Sequence, residues 1–145
     1  MVLKQLNPYA AALSFSLVTC AAPAFAGDTP RVQGAPETNR GFSTLLKQAV
    51  ELGQEIPGMD GRQLRLRLLT IEPGGHIKVH SHKNRPAAFY VIRGATTITY
   101  GDGTVKRFPA GSMGYADKNT VHWHRNNGSE SVVFVAADIF QPKKM

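Results

Sequence analysis

Val79-His80-Ser81-His82-Lys83-Asn84-Arg85-Pro86-Ala87-Ala88-Phe89-Tyr90-Val91-Ile92-Arg93-Gly94 carries two short strand signals and the loop between them. Side chains alternate across a strand, so His80 and His82 share one face. Lys83 to Pro86 is polar and ends in proline, which reads as a loop. Ala88 to Arg93 is an apolar strand, and Gly94 ends it.

The same grammar continues toward the C-terminus. Thr96–Tyr100 and Thr104–Phe108 flank Gly101-Asp102-Gly103, a strong hairpin signal. Pro109-Ala110-Gly111 is a turn, a short strand lies around Ser112–Tyr115, and Asp117–Asn119 makes a loop. Val121–Arg125 and Val132–Ile139 surround Asn126-Asn127-Gly128-Ser129 and read as a second hairpin. Toward the N-terminus, Pro73-Gly74-Gly75 reads as a turn. Before it, Leu64, Leu66 and Leu68 alternate with Arg65 and Arg67, so the leucines are expected in the core and the arginines in solvent. Phe42, Leu45, Leu46, Ala49 and Val50 fall at helical spacing and predict one short helix over 42–52, ended by Gly53, with a strand as the competitor near Val50–Leu52. Residues 27–40 are rich in Pro, Gly, Thr and Asn and read as an extended or mobile arm. Many short strands with no helix after residue 53 predict an all-β sandwich or barrel and exclude a parallel α/β architecture.

All five histidines lie between His76 and His124. His122 and His124 repeat the spacing of His80 and His82 on a later strand. If both pairs face inward, several imidazole nitrogens converge, a donor set that suits zinc, iron, nickel and copper. His76 sits beside the glycine pair, where it can fall in the turn, and His124 can point to solvent or support the ligands from behind. Trp123, between two histidines, should face the opposite way.

The first 26 residues read as a signal peptide: Lys4 supplies the positive start, an apolar stretch runs from about Tyr9 to Ala22, and Ala24-Phe25-Ala26 offers a cleavage site after Ala26. The expected location is the periplasm or the exterior of the cell, with no integral membrane span after cleavage. A lipid anchor at Cys20 is the alternative, because Leu17-Val18-Thr19-Cys20 resembles a lipobox. Cys20 is the only cysteine, so the cleaved chain would have none and no disulfide holds it. The leader contains one basic and no acidic residue, which leaves 16 basic against 10 acidic residues, a net +6. That balance suits acidic small molecules, anionic surfaces or nucleic acid, or simply an ordinary basic surface. The charges are scattered, with no basic run of the kind that marks a nucleic-acid partner. The expected organisation is a signal peptide over 1–26, an N-terminal arm over 27–60 and a β-barrel over 61–141.

Two spaced motifs carry a family resemblance. Gly74, His80, His82 and Gly94 stand at four positions of the first, with Ala87 where a Glu is usual; Gly111, His122 and Asn126 stand in the second, with Asp117 and Asn119 at its Pro and Gly positions. In these respects the chain resembles the cupin superfamily, over about residues 64–140, and looks like its small single-domain bacterial members. The resemblance implies a small jelly-roll barrel with one divalent metal ion (Fe, Zn, Mn, Ni or Cu) in its mouth, and His80, His82 and His122 as ligands. His124, His76 or water would fill a remaining position. Ala87 leaves a three-histidine site, a variant that in this superfamily includes thiol- and diketone-cleaving oxygenases. Homodimer formation is expected by the same analogy.

Arg85 follows the ligand pair and could receive a substrate carboxylate. Phe89, Val91 and Ile98 are candidates for the apolar wall or core, and Asn126 for a turn. No Gly-x-Ser-x-Gly, phosphate loop or paired acid appears among the histidines, which argues against covalent acyl transfer and glycosidase chemistry. Three functions compete. One is a metal-dependent enzyme, oxygenase- or isomerase-like, acting on a small, anionic organic substrate. The second is a non-catalytic module that holds a metal or small ligand. The third is a metal-free structural or storage-like barrel, which the missing Glu of the first motif supports.

Overall fold

A computed structural model describes residues 34–142; the expected leader over 1–26 lies outside the described residues. The strands are β1 (Arg40–Glu51), β2 (Gln63–Ser81), β3 (Ala87–Arg93), β4 (Ala95–Tyr100), β5 (Val105–Pro109), β6 (Met113–Ala116), β7 (Val121–Arg125) and β8 (Val132–Phe140). A 3-10 turn, Leu52–Gln54, follows β1. The strands form one antiparallel sheet in the order β5-β4-β7-β2-β8-β3-β6, with β1 added along β2. The sheet curls until Phe108 of β5 meets Phe89 of β3, ring centroids 5.2 Å apart, which nearly closes a jelly-roll barrel.

The predicted helix over 42–52 is a strand. β1 pairs with β2 from Arg40↔His76 to Glu51↔Gln63. Its apolar spacing does not mark a buried helical face, since Leu45 and Val50 are exposed. The unpaired edge of a long strand offers hydrogen bonds along its whole length, and that pairing outweighs a weak local pattern.

Pro73-Gly74-Gly75 does not reverse the chain. It bends β2, whose first half pairs with β8 (Gln63↔Phe140 to Ile71↔Val132) and whose second half pairs with β7 (His76↔Arg125 to Ser81↔Val121). Only glycine fits at the bend: a Cβ on Gly75 would lie 2.7 Å from the Arg40 carbonyl oxygen and 2.8 Å from that of Glu72. Consequently β7 and β8 flank β2 and are not paired with each other, and Asn126 to Ser129 is a crossing loop and not a hairpin turn. Gly101-Asp102-Gly103 does close the predicted hairpin, with Thr99 of β4 paired to Val105 of β5.

The expected facing of β2 is inverted over its first half. Leu64 and Leu66 are about half exposed, at 46% and 50%, whereas Arg65 and Arg67 point inward. Leu69 and Ile71 have the same parity as the arginines, and they fill the core with Val91, Val132, Phe134 and Ala136. Burying those larger apolar groups sets the phase of the alternation, and the arginines follow it. Among the described residues no helix is long and apolar enough to cross a membrane.

Candidate metal centre

The bend in β2 carries its last residues across the barrel mouth, and pairing with β7 sets His80 opposite His122. Alternation brings His82 to the same side as His80. The Nε2 atom of His122 lies 3.1 Å from Nε2 of His82 and 3.1 Å from Nε2 of His80. The three ligating atoms fall within 4.8 Å of one another.

The other ring nitrogens fix the chemistry of this cluster. His80 Nδ1–H donates to the Lys78 carbonyl oxygen at 2.8 Å, and His82 Nδ1–H donates to that of Arg85 at 2.8 Å. Both rings therefore turn their lone pairs, on Nε2, toward His122. A proton on Nε2 of His122 could serve only one of these two contacts well, whereas a cation among them would serve all three nitrogens. An ion with nitrogen bonds of about 2.0–2.1 Å in tetrahedral array separates its ligand atoms by about 3.3 Å. Two of the three separations are close to that value and the third lies within 4.8 Å, so the three nitrogens could hold one ion.

Burial lowers the pKa of His80 to about 4, and it depresses His82 as well. His122 is lowered further, by burial and then by the neighbouring histidines. At neutral pH all three rings are uncharged, the form that ligates.

His124 lies deeper. It is 4% exposed and stacks parallel to Phe134 with centroids 5.7 Å apart, and burial lowers its pKa to about 3. It is not part of the converging group, and neither is His76, which sits at the bend opposite Arg125 and Arg40. Trp123 faces away from the two buried histidines that flank it.

Beside the histidines is a second polar cluster that sequence reasoning missed. Asp138 of β8 is fully buried, and Arg65 grips both its oxygens, Nε to Oδ1 at 2.9 Å and Nη2 to Oδ2 at 2.7 Å. Arg67 and Arg85 reach the same Oδ2 at 3.2 and 3.4 Å. Burial alone would raise the Asp138 carboxyl, but the Arg65 hydrogen bonds and the charges of Arg67, Arg65 and Arg85 hold it below the usual range. The signal available in the sequence was an acid at an inward position of the alternating strand Val132–Phe140.

A cavity of about 290 Å³ joins the two clusters. His80, His82, His122, Arg67, Arg85 and Ala87 contribute to its wall, with Phe89 and Phe134 on the apolar side. Val91 and Ile98 are fully buried core residues. Asn126, also fully buried, ties the crossing loop: its Nδ2 donates to the Ile71 and Glu130 carbonyl oxygens, and its Oδ1 accepts from the Gly128 N–H.

Residues 67–138, from Arg67 to Asp138, match the family model described as Cupin domain. The chain is a small single-domain cupin. Solved cupin-like structures agree at the level of fold. A protein with a double-stranded beta-helix domain from Klebsiella pneumoniae superposes with a TM-score of 0.52 at 22% identity, covering 74% of this chain and 82% of that one. The Cnp3 cupin domain of Schizosaccharomyces pombe gives 0.51 at 16% identity, covering 69% of this chain and 64% of that one. Ectoine synthase from P. lautus gives 0.50 at 21% identity, covering 68% and 63%. This cupin therefore spans a little under two thirds of the length of the last two. Comparison with curated proteins finds no match. In this cupin Ala87 occupies the Glu position of the first motif, and its cross-strand partner is Asp138, whose carboxylate is held by the arginines.

Proposed function

We propose that this cupin is an exported, metal-dependent enzyme that holds one divalent ion through His80, His82 and His122 and acts on a small organic molecule in the adjoining cavity. The observation that carries the proposal is the convergence of three uncharged imidazole nitrogens, two with their tautomers set by backbone carbonyls, beside a cavity of about 290 Å³. Three neutral ligands leave the full charge of a bound ion uncompensated and coordination positions open, so such an ion would supply Lewis acidity or, if iron, activation of dioxygen. The protein's own residues would shape the cavity, orient the substrate and exclude water through Phe89 and Phe134.

A second reading, a non-catalytic holder of a metal or small ligand, is favoured by one feature. No carboxyl group lines the cavity among the described residues, so no acid or base besides the histidines and Lys78 stands there to move a proton. Export rests on the leader pattern of residues 1–26 and its cleavage site after Ala26. A second copy of the chain is the proposed partner for the apolar outer face that displays Leu64, Leu66, Tyr90, Ile92, Met113 and Tyr115.

The test is metal analysis of protein purified without chelator, wild type against His80→Ala/His82→Ala, followed by turnover assays with Fe, Zn, Mn, Ni and Cu across a substrate panel. One ion per chain, lost in the variant, is expected. No uptake of any ion by the folded wild type would sink the metal reading. Full occupancy without turnover would leave the binding module.

A further inference from the structure

We infer that Arg67 and Arg85 form a carboxylate-binding subsite, and that the molecule taken into the cavity is a small organic carboxylate. The inference rests on the reading of the cavity as a ligand site and names the chemistry of that ligand. Three arginines surround one buried carboxylate, but they are not equivalent. Arg65 pairs with both oxygens of Asp138 and is covered by Phe140, whose ring centroid lies 3.8 Å from the guanidinium carbon. That pair neutralises Asp138 in bidentate geometry without further help. Arg67 and Arg85 each add one longer contact to an oxygen already engaged, and both, unlike Arg65, line the cavity. The Nε of Arg67 is buried and has no hydrogen-bond partner.

Three cationic side chains, Arg67, Arg85 and Lys78, therefore line a cavity whose described lining contains no acid. Guanidinium groups stay protonated, so the imbalance cannot be relieved by loss of a proton. An uncompensated buried charge is unfavourable, and an anion with two oxygens in one plane matches the guanidinium fork and relieves it. A divalent ion on the uncharged histidines would add to the positive excess and strengthen the demand. The part of the wall formed by Phe89, Phe134, Ala116 and Ala136 is apolar and suits the carbon skeleton.

The experiment is calorimetric titration of wild type, Arg67→Gln, Arg67→Lys and Arg85→Gln, each metal-depleted and zinc-loaded, with acetate, malonate, succinate and benzoate and with the matching amides. At least one carboxylate binds the wild type and its amide does not, and affinity falls tenfold or more in Arg67→Gln and Arg85→Gln. Arg67→Lys keeps the charge but loses the fork, and it falls in between. Zinc uptake by the histidines stays unchanged in every folded variant, which separates this subsite from the metal reading. Equal binding of acids and amides, full affinity in both Gln variants, or no binding of any carboxylate to the folded wild type overturns the inference. If Arg67→Gln does not fold, Arg85→Gln, in a loop position with its side chain 24% exposed, decides alone.

Discussion

His82 Nδ1–H donates to the carbonyl oxygen of Arg85, three residues on, at 2.8 Å. One tight loop thus orients a histidine of the three-histidine cluster and positions an arginine of the cavity wall. The loop turns at Asn84, the one non-glycine residue with positive φ among the described residues (φ 61). Asparagine tolerates this left-handed conformation, glycine prefers it, and a β-branched residue is strained there.

Asn84→Val should therefore displace the Arg85 carbonyl and loosen the orientation of His82. Zinc affinity is expected to fall about 10-fold or more, the usual consequence of losing an outer hydrogen bond to a ligating histidine. Asn84→Gly should retain wild-type affinity. Competition titration against a chromogenic chelator measures both, and equal affinity of Asn84→Val and wild type would refute the coupling.

Asp138 is the counter-charge for three arginines, with its side chain at 0% exposure. Asp138→Ala leaves those cations uncompensated inside the barrel. Removal of one partner from a buried charge cluster costs about 3–5 kcal/mol. Urea unfolding of the metal-free protein should show a loss of this size, and a loss well under 1 kcal/mol would mean that solvent already screens the cluster.

Acid should destabilise the metal-free barrel through its buried histidines. The folded pKa of His124 is about 3 and that of His80 about 4, both through burial, against an unfolded value near 6.5. The unfolded chain binds more protons below about pH 6.5, so stability is fully present above that value and declines as pH falls toward the folded pKa values. His124 alone should account for about 2 kcal/mol by pH 5. Urea midpoints at pH 7.5 and pH 5 test this, and the acid loss should shrink in His124→Leu. An identical loss in the variant would show that His124 titrates normally.

The outer face is strongly apolar for a solvent surface, with Met113 73% and Tyr115 76% exposed beside Tyr90. Self-association through this face predicts a dimer by sedimentation at micromolar concentration, converted to monomer by Met113→Glu/Tyr115→Glu with the fold intact. A wild type that sediments as a monomer would eliminate the second copy as its partner.

Sequence periodicity carried the all-β class, the inward pairing of His80 with His82 and of His122 with His124, and the opposite facing of Trp123, because alternation relates near neighbours on one strand. It did not separate helix from strand over Arg40–Glu51, where the apolar spacing serves either and an open strand edge chose. It also misread Asn126 to Ser129 as a hairpin, since local turn chemistry does not record that β2 lies between the two strands it joins.

The sequence by itself determined a β domain with a histidine cluster, because short-range alternation and turn residues are local properties. Tertiary structure alone decided that Arg65 and Arg67 point inward while Leu64 and Leu66 point out. A strand that alternates has two possible phases with the same local pattern. Here the choice fell to Asp138, 73 residues from Arg65 in the chain and its direct partner across the sheet, and to the core demanded by Leu69 and Ile71.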